Sequence, residues 1–265
     1  MKKQGKEHLL DTFSQEVFKI KQRFESIGVT SRTLGTQEFK QVVIDLKKIL
    51  SHSDYLITFN VIQKDKKLAK LAESIRGVYS RYYIYQESKA ALDTISNKSK
   101  KTFISNNKTL GEKEIELSKI NKESHVFFIG SGPFPWTAIS YAKSTGCKVT
   151  CIDKDSEAVN ISRRLIKTLK LYSQIDIACT GAQDFNYYLA THVVIAAMVH
   201  SKVAVLKKVK ETSKHNLKII LRSSFGLYFF IFERIDRDIL KDFKIINTIS
   251  VGENSELISY ILSKK

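Results

Sequence analysis

The chain has 265 residues, of which 43% are hydrophobic and 27% are charged, a composition that is typical of an ordinary soluble protein rather than a disordered one. Its length suits one large domain or a main domain with a helical companion. Lys and Arg outnumber Asp and Glu by 44 to 27, which gives a net charge of +17 and would suit a nucleic acid or an acidic small substrate. The basic residues are nevertheless spread along the chain, and their densest runs, KDKKLAK and NKSKKTF, are typical of solvated helix faces or loops, so nucleic acid is not an expected partner.

The N-terminal part of the chain is predicted to be all-helical. Apolar residues recur at steps of three and four between Glu7 and Gly28, which places them on one face of a helix. A second helix is predicted to begin at Thr36, whose hydroxyl can cap the free amides. A third begins near Asp65 and is predicted to continue to Leu92.

Near Ser96 the helical pattern ends in a polar connection. The segment SNKSKKTFISNNKTLGEKE is rich in Asn, Ser and Lys, as an interdomain connection or a surface loop would be. A short helix is predicted in EKEIELSKI, before the first strand. We therefore expect a helical N-terminal domain over residues 1–110 and a second domain over residues 111–265.

After residue 125, short apolar runs alternate with helical stretches. The runs are HVFFIG, KVTCID, IDIACTG, HVVIAAMV and LKIILRS. Strands that alternate with helices predict βαβ crossovers and a largely parallel sheet covered on both faces. The tail has no helix between FKIINTISVG and ELISYILSK, so we predict an antiparallel hairpin at the sheet edge, with Val251 to Ser255 as its turn.

The first predicted strand leads into the turn GSGPFPWT, which holds both prolines of the chain. Gly130 and Gly132 allow a sharp turn and the close approach of a ligand, and the following helix presents unpaired amides. A dinucleotide fingerprint would have a third glycine where this chain has Pro135, and two prolines remove amides that would bind a phosphate. The turn favours a nucleoside without a pyrophosphate. In the alternative, the glycines form an ordinary turn and Pro133 and Pro135 only begin the helix.

The second predicted strand ends in IDKD. Asp153 lies 23 residues after Gly130, where an acidic residue accepts hydrogen bonds from ribose hydroxyls; a helix cap or a surface acid is the alternative. A glycine turn, an acid on the second strand and no pyrophosphate site indicate S-adenosylmethionine. Gly181 and Ala182 follow the third strand and are expected near the adenine, with Asp184 a candidate for its exocyclic amine unless it caps a helix. The predicted cofactor-binding residues are Gly130, Ser131, Gly132, Pro133, Phe134, Pro135, Thr137, Asp153, Lys154, Asp155, Gly181, Ala182, Ala197 and Met198.

Five segments of the second half carry a resemblance to a known family. They are IGSGPFPWT, AKSTGCKVTCIDKDSEAVNISRRLI, IAAMV with its following helix, LRSSFG and FKIINTIS, and they cover residues 124 to 250. These segments resemble the nicotianamine synthase family, especially its bacterial branch, which makes staphylopine-type metallophores. The resemblance implies an α/β fold: a Rossmann-like sheet of the class I methyltransferase type with an N-terminal all-helical domain.

The resemblance also implies the reaction. In that family an acceptor amine attacks the γ-carbon of the 3-amino-3-carboxypropyl chain of S-adenosylmethionine, so methylthioadenosine leaves and an aminobutanoyl unit is added. All three carbons on the sulfonium are activated by its charge, so orientation decides which one reacts. The proline turn would then shape the wall against which the methionine portion folds.

An attacking amine must lose a proton, so a carboxylate or a phenol is required near the reacting carbon. The third predicted helix carries Tyr83 and Glu87, which are four residues apart and share a face. Members of the family have a glutamate on a helix that covers the cofactor cleft, which implies that Glu87 is catalytic and that Tyr83 binds substrate. From spacing alone, a solvated helix glutamate is the alternative.

The segment RSSFG follows the fifth predicted strand, at the end of the sheet where ligands bind in such folds. Arg222 is predicted to pair with a substrate carboxylate or, alternatively, to anchor a surface acid, and Phe225 is predicted to line the acceptor pocket. Plant-type members have a histidine in the place of Phe225, whereas the bacterial relatives add one unit to an amino acid, often histidine. The bacterial relatives are the closer model.

We therefore expect an aminobutanoyltransferase that makes the precursor of an opine metallophore. The alternative is an S-adenosylmethionine-dependent methyltransferase that acts on a small molecule or RNA, although the chain lacks the D/N-P-P-F/Y turn of adenine or glutamine N-methylation. An inactive regulator that binds S-adenosylmethionine is a third hypothesis. The expected partners are an amino-acid substrate, a second copy in a homodimer and a downstream opine dehydrogenase.

The three cysteines, Cys147, Cys151 and Cys179, form neither a C-x-x-C pair nor an even set, so neither disulfides nor a metal site are expected. The start of the chain is basic but lacks the apolar block of a secretory signal. The longest apolar runs are too short to span a bilayer. These features predict a cytoplasmic location and no membrane partner.

Overall fold

The structure is a computed structural model that describes residues 3–97, 108–250 and 255–265. The α-helices are α1 (Lys3–Ile27), α2 (Gln37–Leu50), α3 (Ser53–Ile57), α4 (Phe59–Ile62), α5 (Lys66–Ile95), α6 (Lys108–Ser118), α7 (Trp136–Thr145), α8 (Ser156–Thr168) and α9 (Lys202–Thr212). The strands are β1 (His125–Ile129), β2 (Lys148–Asp153), β3 (Ile175–Cys179), β4 (His192–Ile195), β5 (Lys218–Ser224), β6 (Phe243–Ser250) and β7 (Leu257–Lys264). Two short 3-10 helices span Gly226–Phe230 and Arg237–Asp242.

The chain divides into two compact units. One consists of Met1–Gln86 with Ser224–Arg234, and the other of Glu87–Ser223 with Ile235–Lys265. The division falls inside α5, and the sequence-based domain boundary at residues 110 and 111 stays a prediction.

The first unit is built from amphipathic helices whose ends follow the capping signals of the sequence. The Thr36 hydroxyl accepts a hydrogen bond from the amide of Phe39 at 3.2 Å, as predicted for the start of α2. The Asp65 carboxylate accepts bonds from the amides of Lys67 and Leu68 and so caps α5. Helices α3 and α4 have only five and four residues, too few to show a periodic pattern, and were not predicted.

The segment Ser224–Arg234 completes the core of the helical unit, although it follows strand β5 in the chain. The ring of Phe230 packs edge-on against Phe13 with centroids 5.5 Å apart. Phe232 packs in the same manner against Tyr79 at 6.0 Å. The apolar run LYFFIF is therefore a core segment of the helical unit.

The second unit is a seven-stranded sheet with the order β3-β2-β1-β4-β5-β7-β6. The strands pair in parallel from β3 through β5, and β6 pairs antiparallel with β7, with a bulge between Ile245 and Asn247. The predicted α/β fold with a Rossmann-like sheet and the predicted C-terminal hairpin are confirmed. Most of the predicted turn, residues 251–254, lies outside the described residues.

The strand order reverses between β1 and β4, which opens a crevice at the carboxyl ends of the strands in such sheets. Both strands are buried along nearly their whole length, so the crevice rests on a rigid base.

Cys147 and Cys151 are buried, Cys179 is exposed, and all three are free thiols. Within the described ranges, no helix has both the length and the apolar character needed to cross a membrane.

Candidate active site

The glycine turn after β1 is bonded to both neighbouring strands. The amide of Gly130 donates to the carbonyl of Ile152 at 2.8 Å, and the amide of Ala196 donates to the carbonyl of Ile129 at 3.1 Å. Gly130 and Gly132 have φ angles of +74° and +65°, in the left-handed region that favours glycine. Both glycines are therefore required by the backbone of the turn.

Side chains of the same unit cover the two glycines. A Cβ on Gly130 would collide with the side chain of Val199, which follows β4. A Cβ on Gly132 would lie 2.6 Å from Oε2 of Glu87. The sequence predicted that a ligand would approach these glycines closely. In the structure, the apolar side chain of Val199 lies against Gly130 and the carboxylate of Glu87 lies against Gly132.

The prolines of the turn connect it to α7. Pro135 occupies the N-cap position of α7, and its carbonyl accepts a hydrogen bond from the amide of Ile139 at 3.0 Å. Pro133, Phe134 and Pro135 are buried, whereas Thr137 in the first helical turn is half-buried. The turn is therefore stiff and packed, and it presents the start of α7 at its end.

Asp153, the last residue of β2, binds the glycine turn through its carboxylate. Its Oδ2 accepts a hydrogen bond from the amide of Gly132 at 2.8 Å, and its Oδ1 accepts one from the amide of Asp155 at 3.1 Å. Asp155 is exposed and caps α8 by accepting from the amides of Glu157 and Ala158, and Lys154 is exposed. Among the described residues, Asp153 is the one member of the IDKD segment whose side chain accepts a hydrogen bond from the glycine turn.

Glu87 lies on α5 in the second unit and is half-buried against Gly132. Burial raises the pKa of Glu87 well above its ordinary value, and the nearby carboxylate of Asp153 raises the pKa further. Both effects disfavour the charged form of Glu87. A cation or an ammonium group placed beside Gly132 would oppose them, because it would compensate both carboxylates.

The other predicted cofactor residues lie after β3 and β4. The Asp184 carboxylate folds back over Gly181, where a Cβ would lie 2.5 Å from Oδ2, and the carbonyl of Ala182 accepts a bond from the phenol of Tyr187 at 2.7 Å. After β4, the carbonyl of Ala197 accepts a hydrogen bond from Nζ of Lys202 at 2.9 Å. Ala197 is buried and Met198 is half-buried, and Ser131 is buried beside the thiol of Cys151.

Arg222, predicted to bind a substrate carboxylate, binds a carboxylate of the protein. Its Nε donates to Oε1 of Glu114 at 2.9 Å, and its Nη2 donates to Oε2 at 2.7 Å. The side chain of Glu114 has no exposed surface, and that of Arg222 is 6% exposed. This bidentate pair is buried beneath the site and is separated by 108 positions in the sequence.

Three further groups complete the network around this ion pair. The phenol of Tyr141 donates to Oε2 of Glu114 at 2.7 Å, the hydroxyl of Ser259 donates to Oε1 at 2.6 Å, and Nη1 of Arg222 donates to Oγ1 of Thr137 at 3.2 Å. Burial alone would raise the pKa of Glu114, but the Arg222 charge and these hydrogen bonds outweigh it and lower the pKa. Glu114 is held as a carboxylate.

Glu114 was not among the predicted site residues, although the sequence around it held a signal. Glu114 lies four residues after Leu110 and four before Ser118, and all three are buried on the same face of α6. A charged residue on the apolar stripe of a helix indicates a buried partner, because an unpaired charge is costly to bury. The spacing does not identify that partner.

Tyr83 and Phe225 belong to the first unit. Tyr83 stacks on Tyr79 with centroids 6.2 Å apart, and Phe225 is 42% exposed. Their roles in substrate binding stay predictions.

In the part of the chain that the structure describes, no group of three or more His, Cys, Asp and Glu side chains is arranged to hold a metal ion.

Comparison with known families gives one match over most of the chain. The model of the nicotianamine synthase protein family matches residues 57–265. This stretch includes Glu87, the glycine turn, Asp153 and the Glu114–Arg222 pair.

Similar curated proteins bear one name, L-histidine 2-aminobutanoyltransferase. The protein of Pseudomonas aeruginosa is 28% identical over 115 residues, which cover 43% of this chain and 44% of that protein. The protein of Yersinia pestis is 26% identical over 183 residues, or 69% and 64% of the two chains. The matched segment thus spans less than half the length of the first relative and less than two thirds of the second.

The fold is shared with solved structures of MtNAS. A glutamate-to-glutamine mutant of MtNAS superposes with a TM-score of 0.80 at 15% identity, over 96% of this chain and 97% of that one. MtNAS in complex with MTA and tNA superposes with a TM-score of 0.79 over the same shares. The same mutant in complex with S-adenosylmethionine gives a TM-score of 0.78 at 16% identity, over 94% and 97% of the two chains.

Proposed function

The chain belongs to the nicotianamine synthase family, and on that premise we propose that it transfers the 3-amino-3-carboxypropyl group of S-adenosylmethionine to the amine of an amino acid and releases methylthioadenosine. The observation that carries the proposal is the arrangement of two carboxylates around Gly132. Asp153 accepts its amide, and Glu87 lies against its α-carbon. This arrangement suits a cationic donor and an amine that must lose a proton.

The residues at the ends of β1 and β2 fit the adenosyl part of the donor. Asp153 is half-buried and has a carboxylate at the tip of β2, where it can accept a bond from a ribose hydroxyl. The prolines leave few amides in the turn to bind a phosphate, which suits a nucleoside without one. When bound, the sulfonium activates the γ-carbon toward the attack of an amine.

Glu87 is the proposed base. A carboxylate with a raised pKa is a better proton acceptor than an ordinary glutamate, and burial together with Asp153 raises the pKa of Glu87. The positive charges of the donor and of the acceptor ammonium would favour the charged form of Glu87 before proton transfer. Glu87 would then take the proton that the amine must lose.

The acceptor is proposed to be histidine, and the product the precursor of an opine metallophore. Support comes from the name that the similar curated proteins share. Tyr83 and Phe225 are proposed to contact the acceptor. A cytoplasmic location, a homodimer and a downstream opine dehydrogenase complete the proposal.

Product analysis tests the proposed transfer of the 3-amino-3-carboxypropyl group to an amino acid. The purified protein is incubated with S-adenosylmethionine and L-histidine, and the mixture is analysed by mass spectrometry. We expect methylthioadenosine and a histidine derivative heavier by one 3-amino-3-carboxypropyl group. A parallel series with other amino acids tests the choice of acceptor, and S-adenosylhomocysteine as the product would replace the proposal with methyl transfer.

A further inference from the structure

The buried ion pair between Arg222 and Glu114 has a third arm that reaches the glycine turn. Two donors of the guanidinium bind the Glu114 carboxylate, and Nη1 donates to Oγ1 of Thr137 at 3.2 Å. Thr137 is the second residue of α7 and the last residue of the GSGPFPWT turn. The guanidinium is fixed along one edge, so the position of its remaining donor is fixed as well.

Glu114 is itself held by more than Arg222. Tyr141 from α7 and Ser259 from β7 each donate to one of its two oxygens. The network therefore joins α6, α7, β5 and β7 within one unit. A planar, bidentate arginine suits this position, whereas a lysine ammonium could not bind two carboxylate oxygens side by side and also reach Thr137 in the same geometry.

The bond from Arg222 also determines how the Thr137 hydroxyl can act. A hydroxyl that accepts a bond from a guanidinium must direct its own proton elsewhere. Among residues 3–97, 108–250 and 255–265, the structure gives that proton no acceptor. Thr137 is half-buried, so its hydroxyl can reach a ligand beside the turn.

We propose that Arg222 is a positioning residue for the donor. Held by Glu114, it orients Thr137 so that the hydroxyl donates a hydrogen bond to the carboxylate of the 3-amino-3-carboxypropyl chain. The inference rests on the proposed function, because it takes S-adenosylmethionine as the ligand. Arg222 thus acts on the substrate through Thr137 and does not touch it.

Two ligands separate this role from a purely structural one. S-adenosylmethionine has the carboxylate, and methylthioadenosine lacks the chain that bears it. We expect Arg222→Lys and Thr137→Val each to weaken binding of S-adenosylmethionine about tenfold in isothermal titration calorimetry and to leave binding of methylthioadenosine within about twofold. An equal loss for both ligands, or no loss for either, would overturn the proposal.

Two controls accompany these variants. Glu116→Gln, on the exposed side of α6, should leave both affinities unchanged. Thr137→Ser keeps the hydroxyl and should restore the affinity that Thr137→Val loses. If Arg222→Lys does not fold, the Thr137→Val and Thr137→Ser pair still decides whether the hydroxyl binds the chain.

The double variant tests the connection between the two residues. If Arg222 acts through Thr137, Arg222→Lys combined with Thr137→Val binds S-adenosylmethionine no more weakly than Thr137→Val alone. Additive losses would contradict the connection. These titrations contain no acceptor and do not depend on the product, so a wild-type protein that forms S-adenosylhomocysteine would refute the proposed function and leave this inference open to its own test.

Discussion

Glu87 covers the glycine turn and Glu114 lies in the buried network beside Thr137, and the surroundings of the two glutamates shift their pKa values in opposite directions. Burial raises the pKa of both side chains. At Glu114 an arginine and two hydroxyl donors outweigh burial, so its pKa is lowered, whereas at Glu87 a second carboxylate adds to burial, so its pKa is raised. The partners decide which carboxylate is held charged and which one can exchange a proton.

The largest effect should come from neutralising the held carboxylate. Glu114→Gln removes the charge that Glu114 places against the buried Arg222 guanidinium, and we expect the free energy of unfolding to fall by about 3 kcal/mol or more. Urea denaturation measures this change in the free energy of unfolding. Glu116→Gln, on the exposed side of the same helix, is the control and should change stability by less than about 0.5 kcal/mol.

Glu87→Gln should have its main effect on turnover. Loss of a general base typically costs about a hundredfold or more, so we expect kcat to fall by that amount while the affinity for S-adenosylmethionine changes little. Steady-state kinetics and calorimetry measure the two quantities. Glu73→Gln, exposed on the same helix, should match the wild type, and a fully active Glu87→Gln variant would assign proton transfer to another group.

Gly132→Ala tests whether turnover depends on the position of the Glu87 carboxylate against the glycine turn. An alanine at φ +65° is strained by about 1–2 kcal/mol, and its Cβ would also displace the Glu87 carboxylate. Gly146→Ala is the matched control, because Gly146 has φ +73° and its Cβ would only meet Cβ of Lys122 at 3.6 Å. Both variants should lose similar stability, and only Gly132→Ala should lose turnover. Equal turnover in the two variants would separate Glu87 from catalysis.

The pH dependence of stability should have opposite signs for the two glutamates. Both start from an ordinary value of 4.5. Because the pKa of Glu87 is raised on folding, its contribution to the free energy of unfolding is fully present below pH 4.5. This contribution is lost as the pH rises through the pKa of Glu87 in the folded protein. Because the pKa of Glu114 is lowered, its contribution is present above pH 4.5 and is lost as the pH falls.

Urea denaturation at a series of pH values resolves these two contributions. Glu87→Gln should remove the loss of stability on the alkaline side of pH 4.5, and Glu114→Gln should remove the loss on the acidic side. Unchanged slopes in both variants would show that neither glutamate titrates differently on folding.

Local signals in the sequence predicted most of the fold. The Thr36 cap, the alternating strands and helices, the glycine turn and the C-terminal hairpin depend on neighbouring residues, and the structure has all of them except the turn residues 251–254, which it does not describe. The partner of Arg222 was not predictable in this way, because Glu114 is 108 positions away and only the folded sheet brings α6 beside β5. At Gly132 the sequence predicted the close approach of a ligand, whereas in the structure the Glu87 side chain lies against this glycine.

The path of the chain between the two units restricts how the protein can be divided. After β5 the chain enters the helical unit at Ser224 and returns to the sheet at Ile235, so neither unit is a single continuous stretch. A gene truncated directly after β5 would lose the aromatic segment that packs in the helical core together with the C-terminal hairpin of the sheet. Deletion or transplantation of one unit therefore requires three cuts, at 86/87, 223/224 and 234/235, and one new connection between the two pieces that remain.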